Sequence, residues 1–300
     1  MESHFIAGRG HNKRRDERGT TPVPLRRAID VNAVCGIDPC DEMHALGSFW
    51  PNTRTSFESH LVKTFKACVP VEEHHPHIDA LCMFYAELVA ERLRGAKVDW
   101  VVRVLGSAEK EVEGSRPQGL LADMICGMLG ARNVTDIFFR SDVRLPMRGV
   151  KRLSGPEALK ARVQYVSQDL FIRPQELGGC ALLLDDIFNT GASMRVYARA
   201  MKDFAKIEQV CAVNLAATRF SGGKDGHGML KLALEGLLEH KSLGQVWVDA
   251  NGIFHPRTDC PAIAEPSSCE VRFMAERSAK PCEECVPKER PKRKWWQVWG

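Results

Sequence analysis

Two kinds of hydrophobic pattern, one typical of helices and one of buried strands, follow one another through the middle of the chain and predict its secondary structure. In residues 78–93, apolar side chains recur at helical spacing with charged residues between them, which is typical of an amphipathic helix. Continuous apolar runs, which suit strands buried on both faces, occupy residues 98–105, 182–184 and 210–216. Further helices are expected at residues 119–129 and 193–204, with a short strand at 134–139. Because strands and helices alternate, the sequence predicts an α/β domain with an open, mostly parallel sheet.

Residues 182–193 carry the most informative polar pattern of the chain. An apolar run ends in Asp185 and Asp186, and ligands of open parallel sheets bind beyond the carboxyl ends of the strands. A turn of small residues then opens the next predicted helix, so its backbone N–H groups are free to hold a phosphate. That turn consists of Asn189, Thr190, Gly191, Ala192 and Ser193. The plainer interpretation is a strand that ends in two solvated acids and a glycine turn.

These residues resemble the phosphoribosyl-pyrophosphate (PRPP) signature of type I phosphoribosyltransferases. In that signature, four apolar residues, two acids and one apolar residue precede a Thr-Thr-Gly-Ala-Thr-like loop, and here Asn189 and Ser193 replace the outer threonines. The resemblance covers roughly residues 78–220 and extends to ComF-like competence proteins through residues 115–122 and 153–171. The chain departs from that family after the first strand, because Val-Leu-Gly-Ser stands where the family often has Val-Pro-Val-Pro.

The resemblance implies an enzyme that transfers or exchanges a base at the anomeric carbon of ribose and releases pyrophosphate. Asp185 and Asp186 would be its catalytic acids, which accept hydrogen bonds from the ribose hydroxyls or bind Mg²⁺ directly or through water. The Asn-Thr-Gly-Ala-Ser loop would hold the 5-phosphate of PRPP. The remaining implied site residues, which would face or neutralise the pyrophosphate, are Gly106, Ser107, Arg116 and Arg162. Surface or salt-bridge arginines are an equally good interpretation of the last two.

Histidine and cysteine residues near the C-terminus have the spacing of a metal site. Cys282 and Cys285 form a Cys-x-x-Cys pair, and His255 with Cys260 supplies a second pair, which together suit a closed tetrahedral zinc site. A module of about forty residues has little core, so Zn²⁺ would stabilise its fold. The stretch resembles the Ada-type metal-binding domain, although His255 stands where that domain has Cys. Cys269 is the rival fourth ligand, and an unmetallated reduced Cys pair is the plainer alternative.

Other cysteine and histidine groups give weaker signals. Cys35 and Cys40 have no partner pair nearby in the sequence. The Glu-Glu-His-His-Pro-His tract at residues 72–77 fits a solvated loop better than a metal cluster. The eleven cysteines, an odd number scattered through predicted core segments, argue against a disulfide framework.

These patterns divide the chain into four regions. We expect a flexible basic N-terminal region at 1–50, a phosphoribosyltransferase-like domain at 51–245, a zinc-binding module at 246–288 and a basic, aromatic tail at 289–300. The sequence contains no secretory signal and no membrane-spanning run, so we expect a cytoplasmic protein that does not bind membranes. A homodimer is compatible with these features.

Positive charge at both ends of the chain keeps other function classes open. The tail mixes Lys and Arg with three tryptophans, a composition that suits single-stranded nucleic acid but also suits docking on a protein surface. The alternative to a transferase is therefore a non-catalytic, ComF-like nucleic-acid-binding protein in DNA uptake, repair or modification. A regulator that binds PRPP without transfer is a third hypothesis, since fold alone does not decide function.

Overall fold

The computed structural model of the protein describes residues 20–36, 38–51, 57–74, 77–144, 155–219, 233–234, 245–273 and 280–285. The strands in these ranges are β1 (Val23–Pro24), β2 (Glu42–Ala45), β3 (Ser48–Phe49), β4 (Trp100–Arg103), β5 (Arg132–Asn133), β6 (Phe138–Arg140), β7 (Leu170–Ile172), β8 (Cys180–Phe188), β9 (Gln209–Thr218), β10 (Ala233–Leu234), β11 (Gln245–Val248), β12 (Ile253–His255), β13 (Glu270–Phe273) and β14 (Lys280–Pro281). The α-helices are α1 (Leu25–Ala28), α2 (Val31–Gly36), α3 (Phe57–Ala67), α4 (His77–Arg92), α5 (Pro117–Leu129), α6 (Gly155–Ser167) and α7 (Ala192–Phe204).

A parallel sheet of seven strands organises the described part of the chain. Its order is β10-β2-β9-β8-β4-β5, and β3 pairs with β9 beyond the end of β2. Each of these strand pairs is parallel. The predicted α/β class with a mostly parallel sheet is therefore confirmed, and β8, which carries the two acids, lies at its centre.

Helices cover both faces of this sheet. Leu183 of β8 packs in one core layer with α1, α2, α6 and α7, whereas Leu182 and Leu184 pack in a second layer with α3, α4 and α5. Successive side chains of a strand point to opposite faces, so a strand between two helical layers needs an unbroken apolar run. The Leu-Leu-Leu run of β8 meets this need.

The strand predicted at residues 134–139 differs from the structure in its extent and in the sheet to which it belongs. A short 3₁₀ turn spans Thr135–Ile137, and β6 then joins β1 and β7 in a separate antiparallel sheet. The side chain of Asn133 accepts hydrogen bonds from the backbone N–H and the hydroxyl of Thr135, which turns the chain out of the parallel sheet.

Part of the predicted N-terminal region belongs to the α/β fold. Residues 1–19 lie outside the described residues, but α1, α2, β2 and β3 all precede residue 51. β2 pairs with β9, and Asp41, just before β2, accepts a hydrogen bond from the backbone N–H of Val210 at 2.7 Å. The sheet therefore starts before the expected domain boundary at residue 51.

The C-terminal residues form a small sheet of their own in the order β13-β11-β12-β14. This sheet begins at Gln245, close to the predicted start of the module at residue 246. Trp247 packs against both the main core and the small C-terminal core, and β13 lies against α3. The predicted tail at 289–300 lies outside the described residues. None of the helices in the described part of the chain combines the length and apolar character that crossing a bilayer requires.

Candidate active site and metal centre

The acid pair lies near the carboxyl end of β8, at the edge of the sheet where the sequence predicts a ligand. Asp185 Oδ1 accepts a hydrogen bond from the backbone N–H of Asp186 at 2.9 Å, and Asp186 Oδ1 accepts one from Ile187 at 2.6 Å. Burial raises the pKa of the Asp185 carboxyl to about 7, and the neighbouring charge of Asp186 adds to the rise. Two adjacent, partly buried carboxylates repel each other unless a cation or hydrogen-bond donors stabilise their negative charges.

Lys66 supplies a positive charge at this point and was missed by the sequence analysis. It lies in the last turn of α3, and its Nζ contacts Asp186 Oδ2. The side chain of Lys66 is 45 % exposed, so the ammonium group remains accessible to water. In the sequence 120 residues separate the partners, and no local pattern marks Lys66 as a site residue.

The turn after β8 has the geometry expected for an anion-binding loop. Gly191 adopts a left-handed conformation with φ 74°, which favours glycine, and it is the N-cap of α7. No side chain in the described structure caps this helix end. The first N–H groups of α7 and its positive dipole end therefore face the carboxyl edge of the sheet. Asn189 is exposed, whereas Gly191 and Ala192 are buried.

The loop after β4 is built around a buried ion pair. The guanidinium of Arg103 donates two hydrogen bonds to the carboxylate of Glu109, at 2.9 and 2.7 Å, and both side chains are at most 1 % exposed. Glu109 also accepts the backbone N–H groups of Gly106 and Glu113. Burial is the largest single effect on Glu109 and raises its pKa, but the hydrogen bonds and charge of Arg103, together with the backbone N–H groups of Gly106 and Glu113, outweigh burial and hold the pKa of this carboxyl below its ordinary value.

This loop changes what Gly106 can contribute. Its N–H donates to Glu109 Oε2 at 2.6 Å, so it is directed at the protein's own carboxylate. A Cβ added at this position would lie 3.0 Å from the same oxygen, which explains the need for glycine. Ser107 is positioned differently, because its carbonyl accepts a hydrogen bond from the backbone N–H of Arg144 at 2.9 Å.

Arg144 and Arg140 are two further cations that sequence reasoning missed. Arg140 is bound to Asp169 at 3.2 Å and to the carbonyl of Leu105. In Arg144, Nε and Nη1 are buried and have no hydrogen-bond partner among the described residues. Burial lowers the pKa of Arg144, the charge of Arg140 lowers it further, and Arg144 itself favours the ionised form of Asp185. The Arg144 guanidinium lies over the ring of Tyr165, 5.6 Å from its centroid, but a ring face does not satisfy the two buried N–H donors, so this position suits an anionic ligand.

The two arginines proposed from the sequence occupy other places. Arg116 is the N-cap of α5 and pairs with Glu113 at 2.9 Å, which fits the salt-bridge interpretation. Arg162 lies in α6, where burial lowers its pKa. Within the described residues, no hydrogen bond or ion pair joins either arginine to the acid pair.

The four predicted metal ligands come together in the C-terminal module. One donor atom from each of the four side chains lies within 4.8 Å of the others, and the residues are His255, Cys260, Cys282 and Cys285. The sulfur atoms of Cys260 and Cys282 are 3.8 Å apart, and Cys285 Sγ is 3.6 Å from His255 Nδ1. Two thiolates bound tetrahedrally to one Zn²⁺ at about 2.3 Å would lie about 3.8 Å apart. The group can therefore hold a metal ion such as Zn²⁺.

The surroundings of His255 fit the same interpretation. Its ring is 1 % exposed, Nδ1 faces the thiols, and Nε2 is 3.6 Å from the carboxylate of Asp249. A carboxylate behind a metal-binding imidazole commonly fixes the ring and its tautomer. Cys269, the rival fourth ligand, is buried but lies outside the group of four, and its thiol points to the carbonyl of Glu265.

The weaker metal candidates remain apart from these sites. Cys35 and Cys40 belong to no group of three or more metal ligands in the described structure, and burial raises the pKa of both thiols. The histidine side chains of the 72–77 tract lie outside the described residues. All eleven cysteines are free thiols.

Comparison with solved structures gives partial likenesses, which include two adenine phosphoribosyltransferases. The chain matches an adenine phosphoribosyltransferase with 14 % identity and a TM-score of 0.35, over 59 % of this chain and 99 % of that one. It also matches the adenine phosphoribosyltransferase of Saccharomyces cerevisiae, solved with an imino-altritol bisphosphate and adenine, with 18 % identity and a TM-score of 0.33, over 55 % and 81 % of the two chains. No family model and no curated protein sequence matches the chain. With TM-scores below 0.5, these likenesses carry no inference about ligand or reaction.

Proposed function

We propose that this protein binds PRPP or a related phosphorylated ribose and acts as a phosphoribosyltransferase. One observation carries the proposal: the acid pair of β8 is followed directly by the left-handed Gly191 and the uncapped start of α7. Carboxylates suit the two ribose hydroxyls, and a helix N-terminus suits the 5-phosphate. In a phosphorylated ribose such as PRPP, the two hydroxyls and the 5-phosphate lie on different parts of the same sugar.

The unpaired guanidinium atoms of Arg144 support the anionic half of this ligand. Arg144 is attached through its backbone to Ser107, and its charge acts on Asp185. A pyrophosphate group at this position would receive the hydrogen bonds that Nε and Nη1 lack. This residue takes the role that the sequence had suggested for Arg116 and Arg162.

The reaction follows from the charges of the site. The bond between the anomeric carbon and pyrophosphate breaks, pyrophosphate leaves with the electron pair, and a nitrogen of the incoming base forms the new bond. Asp185 and Asp186 stabilise the positive charge that develops on the sugar, and Arg144 stabilises the leaving group.

Both metal ions of the sequence analysis fit the residues that would hold them. Two adjacent carboxylates with oxygen donors toward the sheet edge suit Mg²⁺, which when bound would neutralise pyrophosphate charge. The His255 and three-cysteine group suits a structural Zn²⁺, because four N and S donors leave no open position.

The double variant Asp185→Asn with Asp186→Asn tests the proposal. It keeps the shape of both side chains but removes the charges, so PRPP binding in the presence of Mg²⁺ is expected to be abolished while the fold persists. Calorimetric titration measures the binding, and circular dichroism checks the fold. The matched control is Asp203→Asn, which removes a carboxylate from the far end of α7 and should bind PRPP like the wild type.

The titration also separates the competing functions. Equal PRPP binding by the double variant and the wild type would contradict the site assignment. Absence of PRPP binding to both proteins would favour the nucleic-acid-binding alternative, with the basic tail and C-terminal module as the region to examine.

Lys66 leads to a separate prediction about the acid pair. Lys66→Gln is expected to strengthen Mn²⁺ binding by up to about fivefold, because an accessible ion pair contributes up to about 1 kcal/mol that the cation must displace. Titration followed by electron paramagnetic resonance of free Mn²⁺ measures this without PRPP. Lys63→Gln removes the same charge from the same helix, and equal affinities in the two variants would show that Lys66 does not compete.

A further inference from the structure

A second group of potential metal ligands lies on the main sheet, apart from the C-terminal module. Glu42 and His44 are two residues apart in β2, so their side chains project from the same face. Cys211 of the neighbouring strand β9 is the register partner of Glu42. A carboxylate oxygen, an imidazole nitrogen and a sulfur atom of these residues lie within 4.8 Å of one another.

His44 presents one of its two ring nitrogens to the carboxylate of Glu42. Nε2 lies 3.3 Å from Glu42 Oε2, but Nδ1 is buried and has no hydrogen-bond partner among the described residues. Because Nε2 is the ring nitrogen beside Glu42, it is the atom that a metal ion shared with Glu42 would take, and Nδ1 would then be the nitrogen that carries the ring proton. Glu42 is 68 % exposed, so its side chain can rotate to shorten the distances between the donors.

We propose that Glu42, His44 and Cys211 form a second metal site that takes a borderline divalent ion of the Zn²⁺ class. The donor set of one oxygen, one nitrogen and one sulfur suits Zn²⁺ and does not suit Mg²⁺ or Ca²⁺, which prefer oxygen ligands. Three protein ligands leave one position for water or another exchangeable group. The site therefore binds zinc less tightly than the closed group of four in the C-terminal module.

Two strands hold the ligands, and this arrangement makes the site rigid. β2 and β9 are paired in register from Glu42 to Ala45, and the side chain of Asn214 in β9 also donates to the carbonyl of His44. Cys211 packs against the core layer that contains α3, α4 and α5. His44 and Cys211 are partly buried, whereas Glu42 is the exposed and most adjustable of the three ligands.

Zinc content of the full-length protein tests the site without any measurement of activity. After loading with Zn²⁺ and removal of the excess, mass spectrometry of the metal is expected to find two equivalents in the wild type, one for each group. A competing chelator should remove the zinc of the β2–β9 group at a lower chelator concentration than the zinc of the C-terminal group. Cys211→Ser, His44→Gln and Glu42→Gln should each lack the easily removed equivalent and keep the other.

Substitution of Co²⁺ for Zn²⁺ identifies the sulfur ligand. Thiolate-to-cobalt absorption is expected to appear in two phases in the wild type, and the weaker phase should be lost in Cys211→Ser. The control is Cys180→Ser, which removes a half-buried thiol at the start of β8 outside both groups and should retain both phases. Glu42→Gln guards against misfolding, because this side chain is exposed.

Two results would overturn the inference. One is a wild-type protein that binds a single equivalent, which Cys282→Ser removes and Cys211→Ser leaves in place. The other is a second equivalent that persists in all three variants of the β2–β9 group. Neither result depends on PRPP binding, so the sheet site and the proposed transferase function succeed or fail separately.

Discussion

Glu109→Ala is expected to lower the free energy of unfolding by about 3–5 kcal/mol. The substitution leaves the guanidinium of Arg103 charged, 0 % exposed and without its carboxylate, and an uncompensated buried charge is among the most destabilising changes in a protein. It also releases the backbone N–H groups of Gly106 and Glu113, which Glu109 now accepts. The loop after β4 should therefore lose its conformation together with part of the overall stability.

Urea denaturation followed by circular dichroism measures this loss. Glu111→Ala is the matched control, because Glu111 is 75 % exposed and lies 3.8 Å from Arg173, so its removal should cost less than about 1 kcal/mol. The double variant Arg103→Met with Glu109→Met removes both charges and should recover much of the stability. Similar free energies of unfolding for Glu109→Ala and Glu111→Ala would show that the buried pair does not maintain the fold.

Cys282→Ser is expected to release one equivalent of zinc and to unfold the C-terminal module while the main sheet remains intact. The small core of this module consists mainly of the cysteine side chains themselves, so little apolar burial remains without the metal. Structural zinc sites contribute on the order of 10–16 kcal/mol of apparent binding free energy, which is more than such a core supplies. The module should therefore lose its folded structure completely rather than in part.

Metal analysis and hydrogen exchange of residues 245–285 measure the effect. Exchange in this range should become rapid in Cys282→Ser, whereas exchange in β8 and β9 should stay slow. Cys269→Ser is the matched control, since Cys269 is equally buried but lies outside the four ligands. Full zinc content in Cys282→Ser, or loss of zinc in Cys269→Ser, would contradict the ligand set.

The amino-acid sequence by itself determined the class of the fold and two of its polar groups, the acid pair with its glycine turn and the Cys-x-x-Cys pair. The Leu182–Leu184 run, the acids after it and the glycine turn predict strand, sheet edge and helix start, because the hydrophobic period and the conformation of Gly191 are local properties. The Cys-x-x-Cys spacing is equally local, since two thiols on one tight turn must lie close together. The sequence also favoured His255 over Cys269 as the fourth ligand, and the pairing of β12 with β14 places His255, rather than Cys269, in the group of four.

Only the tertiary structure decided which distant residues complete these sites. Lys66 reaches Asp186 across 120 residues, and β2 brings His44 beside Cys211 of β9. The short strand β2 shows no continuous apolar run, because its exposed and buried residues alternate. A sequence pattern records how each segment buries its own surface, whereas pairing between distant segments depends on the contacts that the whole fold brings together. For that reason, the local elements could be predicted and the cations, the buried ion pair and the sheet site could not.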